Sequence, residues 1–185
     1  MNIESYIQTH SGACLFLGDP DPELISLQDI AHALSQVNRY TGHARFPYSV
    51  ARHSVACTVD AQDLGMSATV QRQALLHDAT EAYLNDLSSP LKRLLPEYKE
   101  LEAIWQAAIA SRFRLPLELD RQVHDLDRRQ LMREAKALLP GGPKGLGWPE
   151  DPEPGWRPAE REWQEWGWED ARDVFLAHAR RLDIL

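Results

Sequence analysis

At 185 residues, with 43% hydrophobic and 26% charged side chains, the chain can bury a core without disulfide or zinc staples, and its composition excludes wholesale disorder. Twenty Lys and Arg against 28 Asp and Glu leave a net charge of −8, which argues against a nucleic-acid polymer as partner but allows a single nucleotide held by a few local cations. Two cysteines, Cys14 and Cys57, lie outside any Cys-x-x-Cys spacing, suit a reducing cytoplasm and read as small buried apolar side chains. No basic segment followed by an apolar run opens the chain, and no stretch nears the roughly 18 apolar residues of a membrane span, so neither a signal peptide nor a membrane location is expected.

The first twenty residues read as irregular, with a short strand possible at Ala13 to Leu17 before Gly18-Asp19-Pro20 stops it. From Ser26, apolar residues at Leu27, Ile30, Ala31, Leu34 and Val37 predict a first helix, and Ser26 with Asp29 resembles a capping box. Asn38 to Pro47 has Gly and Pro but no period and reads as a loop. A second helix is predicted from about Ser49 to Leu64, closed by Gly65. A third is predicted from near Ser67 to just before Asn85-Asp86, and a short turn at Leu91 to Leu95 follows Pro90. The fourth spans about Glu97 to Phe113, and the fifth is expected to open at Pro116 and reach Leu139.

From Pro140 to Pro158 the composition turns to Pro, Gly and Trp. With Trp148 and Trp156 inside it, and Trp163, Trp166 and Trp168 following, the segment is expected to be an ordered flap packed on the body. A last helix is predicted from about Glu169 to Arg181. With almost no strand signal, the expected fold class is all-α, a compact helical bundle with a long loop before the last helix.

The chain has seven histidines. His10, His32, His124 and His178 read as packed or solvated side chains. His77-Asp78 is different, because it sits in the strongly apolar stretch Ala74-Leu75-Leu76-His77-Asp78-Ala79. Burying an ionised carboxylate there costs several kcal/mol unless something compensates, and a divalent cation does so. His offers a neutral nitrogen and Asp a hard oxygen, a pair suited to zinc, manganese, iron or cobalt. Glu81, at helical spacing from the pair, places an acid or base beside such an ion. His53, on the apolar side of the second helix, and Asp127, on the fifth, are the remaining candidate ligands; Asp125 falls on the wrong face.

The order His53, His77-Asp78, Asp127, with Glu81 one turn past the pair, resembles the HD-domain phosphohydrolase superfamily, and within it the small branch of 5′-deoxyribonucleotidases and phage-type deoxynucleoside triphosphate hydrolases. The matching stretches are Tyr48 to Ser54, Ala74 to Lys92 and Leu126 to Arg129. The resemblance covers roughly residues 24 to 139 and the final helix, 168 to 182. It implies a single HD-type domain over 1–185. It further implies one divalent metal ion (Co, Mn, Zn, Fe or Mg) held by His53, His77, Asp78 and Asp127. Glu81 is then the catalytic acid or base, with Asp86 beside the nucleophile. Arg39 and Lys92 match the cations that hold the phosphate, and Tyr40 stands at a base-stacking position. His43 and Arg45, in the same loop as Arg39, either reach the substrate or order the loop.

The leading expectation is removal of the 5′-phosphate from deoxynucleoside monophosphates in the cytoplasm by a homodimer or higher homo-oligomer. Release of triphosphate from deoxynucleoside triphosphates is the alternative at the same site. A helical module that senses a nucleotide without turning it over would have no use for Glu81, and a purely structural helical protein would carry no stoichiometric metal.

Overall fold

The structure, a computed structural model, describes residues 5–145, 147–157 and 165–184. Two short strands, β1 (Tyr6–Gln8) and β2 (Cys14–Phe16), pair antiparallel with Ile7 opposite Leu15. The helices follow as α1 (Leu27–Gln36), α2 (Val50–Asp63), α3 (Ala68–Leu76), α4 (Glu81–Leu84), α5 (Ser89–Lys92), α6 (Pro96–Arg112), α7 (Arg121–Leu138) and α8 (Trp168–Arg181). The fold is therefore mostly helical, and the hairpin corrects the all-α expectation: the apolar run ending at Leu17 finds its strand partner at Tyr6–Gln8, a segment with no clear period. Among the described residues no helix is long and apolar enough to cross a membrane.

Local chemistry explains several helix ends. Ser26, Ser49 and Ser67 cap α1, α2 and α3 by accepting from Asp29, Arg52 and Val70 backbone N–H groups. The predicted capping box at Ser26 is only half formed. The Asp29 carboxylate turns away and accepts from the Ser11 backbone N–H at 2.8 Å and the Ser11 hydroxyl at 2.7 Å, tying the hairpin to α1. Gly65, at φ +65°, ends α2 where a side chain would be strained. Pro116 does not open α7; the helix starts at Arg121, where the Asp120 side chain accepts from the Gln122 N–H and provides the cap that Pro116 lacks.

The predicted third helix breaks at the His-Asp pair. The Ala74 carbonyl, which a continuing helix would offer to the Asp78 N–H, accepts instead from His77 Nδ1 at 2.9 Å. The chain then runs through tightened turns, with Ala79 N–H bonded to Leu76 O and Glu81 N–H to Asp78 O, before α4 resumes at Glu81.

The main core joins α1, α2, α6 and α8 through Ile30, Leu34, Val50, Ala51, Trp105, Ile109 and Phe175. Trp105 stacks on Tyr83 with ring centroids 4.1 Å apart, and its Nε1–H donates to Leu17 O at 3.0 Å. That pair fixes α4, and with it Glu81, against the body. A second apolar cluster, including Cys57, Ala74, Val123 and Leu126, locks α2, α3 and α7 together behind the His-Asp pair.

The described part of the Pro/Gly/Trp segment is held to α7 more by charge than by tryptophan burial. Arg128 donates twice to Glu150 O at 2.9 and 2.7 Å, Arg133 pairs with Glu153 at 2.6 Å, and Lys136 pairs with Asp151 at 2.5 Å. Trp156 lies against Arg133, 5.6 Å from guanidinium carbon to ring centroid, and both Trp148 and Trp156 are half-buried. Leu146, Pro158 and Trp163 lie outside the described residues.

Candidate metal centre

Three separate helices bring the four predicted ligands together. His53 comes from the middle of α2 and is fully buried; His77 and Asp78 come from the turn after α3; Asp127 comes from α7. His53 Nε2 lies 3.2 Å from His77 Nε2, 3.1 Å from Asp127 Oδ1 and 3.6 Å from Asp78 Oδ2. His77 Nε2 lies 3.2 Å from Asp78 Oδ2. Asp125, the weaker candidate on sequence, is exposed.

The chemistry of this donor set fits a divalent cation. Donors about 2.1 Å from one ion stand about 3.0 Å apart at a right angle and about 3.4 Å apart at the tetrahedral angle. The observed edges fall around those values. The tautomers point the same way. The Ala74 carbonyl can only accept, so His77 carries its hydrogen on Nδ1. His53 Nδ1 faces the Glu134 carboxylate at 2.7 Å and carries its hydrogen there. In neutral rings both Nε2 lone pairs then face each other and two carboxylate oxygens. Such a convergence of lone pairs is stable only around positive charge, a proton or a metal ion.

Titration directions express the same demand. Burial and Arg39 push His53 down, yet Cys57, Glu134 and Asp127 carry it well above the usual imidazole range. Burial also pushes His77 down, but Asp78 outweighs it and the net direction is upward. Burial alone would raise Asp78; His77, His53 and Arg39 hold it far below the usual carboxylate range. Asp127, likewise raised by burial, is brought down by its hydrogen bond to His53 and by both imidazoles.

Glu134, absent from the sequence-based set, is a major part of the site. Its carboxylate is completely buried and accepts from His53 Nδ1 at 2.7 Å, Arg39 Nε at 2.9 Å, the Tyr48 hydroxyl at 3.1 Å and the Tyr40 hydroxyl at 3.3 Å. It orients His53 from behind, as outer carboxylates do for metal-bound imidazoles. Its signal in the sequence was position: two turns after Asp127 on α7, on the same face. Cys57 was also missed. It lies one turn after His53, and His53, Cys57 and His77 each place one donor atom within 4.8 Å of one another.

The predicted substrate residues divide. Arg39 is buried at the site, bonded to Glu134, with Nη1 3.6 Å from Asp78 Oδ2. Tyr40, at φ 57°, turns its hydroxyl inward to Leu131 O at 3.1 Å and to Glu134 Oε2 at 3.3 Å, which ties the polar edge of its ring to α7. Lys92 Nζ lies 3.4 Å from Glu81 Oε1 and 2.7 Å from Glu102 Oε1. Glu81 is buried, and its Oε2 has no hydrogen-bond partner among the described residues. Burial, with Asp78 and Asp86 nearby, pushes Glu81 well above its ordinary value, against the pull of Lys92. Asp86 is half-buried and raised, chiefly by burial, with Arg39 and Lys92 opposing. His43 and Arg45 are exposed; Arg45 anchors its loop by donating its backbone N–H to Leu138 O at 2.9 Å.

Arg39 and Arg45 share a cavity of about 220 Å³ with Asn38, Gly42, Phe46 and Tyr48. A larger one, about 510 Å³, lies between α2, α7 and the tryptophans Trp156 and Trp166, and none of the four predicted ligands lines it. Its Arg133 is already paired with Asp60 and Glu153.

The chain has relatives among known proteins. The chain is 38% identical over 146 residues to the Uncharacterized protein YfdR of Escherichia coli (strain K12), spanning 78% of each chain. It therefore belongs to the same family as that protein. It is also 39% identical over 114 residues to the Uncharacterized protein RCAP_rcc00048 of Rhodobacter capsulatus, covering 59% of this chain and 58% of that one. No family model matches the chain.

Proposed function

We propose that the protein is an HD-domain phosphohydrolase that uses one divalent metal ion to remove the 5′-phosphate from deoxynucleoside monophosphates, acting in the cytoplasm as a homo-oligomer. The observation that carries the reading is the meeting of His53, His77, Asp78 and Asp127 at donor separations of 3.1–3.6 Å, with a buried Glu81 nearby whose Oε2 has no hydrogen-bond partner among the described residues. These four residues would hold the ion. When bound, a divalent ion supplies Lewis acidity, lowering the pKa of water and neutralising phosphoryl charge.

The rest is work for the chain's own side chains. Glu81 is the acid or base: its raised affinity for a proton suits it to carry one between water and the leaving oxygen. Asp86 supports it from the neighbouring turn. Arg39 lies beside Asp78 and Lys92 beside Glu81, and each has donors beyond those that its carboxylate partners take, so both can contact a phosphoryl group. The charge they offer is already shared with Glu134 and Glu102, which favours one phosphate over the three of a nucleoside triphosphate.

The test is product analysis, for orthophosphate and for inorganic triphosphate, on a panel of deoxynucleoside mono- and triphosphates with manganese, cobalt or zinc. Release from monophosphates, abolished in Glu81→Ala while metal stays bound, is expected. Triphosphate release would shift the substrate assignment, and no turnover with metal bound would favour a sensing module.

A further inference from the structure

We infer that Cys57 is an additional donor to the same ion, so that the site selects borderline-soft divalent ions such as zinc or cobalt over magnesium; the inference rests on the metal-dependent reading above. Cys57 follows His53 by one turn on α2 and is completely buried. Its Sγ lies 3.7 Å from His53 Nε2, the atom that also faces His77, Asp78 and Asp127. A sulfur about 2.3 Å and an imidazole nitrogen about 2.1 Å from one ion stand about 3.1 Å apart at a right angle and about 3.8 Å apart at about 120°, the angles of a five-coordinate site. The observed separation falls between them.

The sulfur sits between apolar side chains and an imidazole. Ala61, Val70, Ala74, Val123 and Leu126 share its apolar cluster, and His53 Nε2 is its polar neighbour at 3.7 Å. Thiolate sulfur prefers zinc, cobalt and iron and contributes little to magnesium, which takes oxygen ligands. As the Sγ–metal bond forms, the S–H bond breaks and the proton passes to buffer; no oxidant or reductant takes part.

The experiment uses the full chain, stripped of metal and loaded with cobalt(II) alone. Visible d–d absorption reports that the ion is bound, and near-ultraviolet charge transfer reports a sulfur ligand. Both are expected in the unmodified protein and in Cys14→Ser, which removes the exposed thiol. In Cys57→Ser the near-ultraviolet band is lost and the visible bands remain. Zinc affinity then falls about tenfold or more, the scale at which even outer-shell changes act, while magnesium affinity changes little. Visible bands without charge transfer in the unmodified protein would overturn the assignment of Cys57 and leave the four-ligand site standing. Failure to take up cobalt at all would remove both. Should Cys57→Ser not fold, the unmodified and Cys14→Ser spectra decide the matter.

Discussion

Replacing Glu134 by Gln keeps the volume and shape of the side chain and removes only its charge and part of its acceptor capacity. The carboxylate serves four donors: His53 Nδ1 and the Tyr48 hydroxyl on Oε1, Arg39 Nε and the Tyr40 hydroxyl on Oε2. An amide has one acceptor oxygen, so its NH₂ group must confront one pair of those donors. Arg39, which is buried, also loses its nearest counter-charge. A buried donor left unsatisfied costs about 1–3 kcal/mol, and a buried ion pair broken at one partner about 3–5 kcal/mol. These overlap, and the expected loss of unfolding free energy is about 3–5 kcal/mol, read from the shift of the urea midpoint at unchanged slope. Burial would raise the Glu134 carboxyl, but Arg39 and His53 hold it below its ordinary value. Its contribution is therefore present above the unfolded carboxylate range of about 4.3 and is lost as pH falls through the lower folded value. The gap between wild type and Glu134→Gln should narrow on acidification in that window. Metal affinity should also fall about 10- to 100-fold, because His53 is no longer oriented from behind. A stability loss under about 1 kcal/mol, with unchanged metal affinity, would refute the role assigned to Glu134.

Glu81→Gln should lower phosphate release about 10²- to 10⁴-fold in a steady-state assay while metal content stays at the wild-type level. Asp127→Asn should weaken metal binding measured by competition with a chelating dye, whereas Asp125→Asn, on the exposed face, should change neither binding nor stability beyond about 0.5 kcal/mol. Trp105→Ala should cost about 3–5 kcal/mol in chemical denaturation, since it empties a fully buried site and unstacks Tyr83.

The helical period made α1, α2, α6 and α8 readable within a few residues, and α7 at its C-terminal end, because apolar positions recur on the face each buries. The hairpin was not readable: Tyr6–Gln8 is three residues long with no apolar alternation, and its partner is fixed by tertiary packing through Ile7 and Leu15. Nor was the break after Leu76, because it depends on a side-chain hydrogen bond from His77 to a backbone carbonyl, which apolar spacing does not encode. In the site, His53, His77, Asp78 and Asp127 stood out as polar groups on apolar faces. Glu134 did not stand out, since its burial depends on Arg39, Tyr40 and Tyr48 from a loop 86 to 95 residues away in sequence. Cys57 read as a small apolar residue, and only its distance to His53 Nε2 separates it from one.

We propose that two imidazoles and two carboxylates from α2, the α3–α4 turn and α7 share one cation. Equilibrium dialysis of metal-stripped protein against cobalt or manganese, read by elemental analysis, tests it directly. One equivalent per chain, lost in the double variant His77→Ala/Asp127→Ala at retained helicity, is the predicted result. No uptake by the wild type, or equal uptake by the double variant, would contradict it.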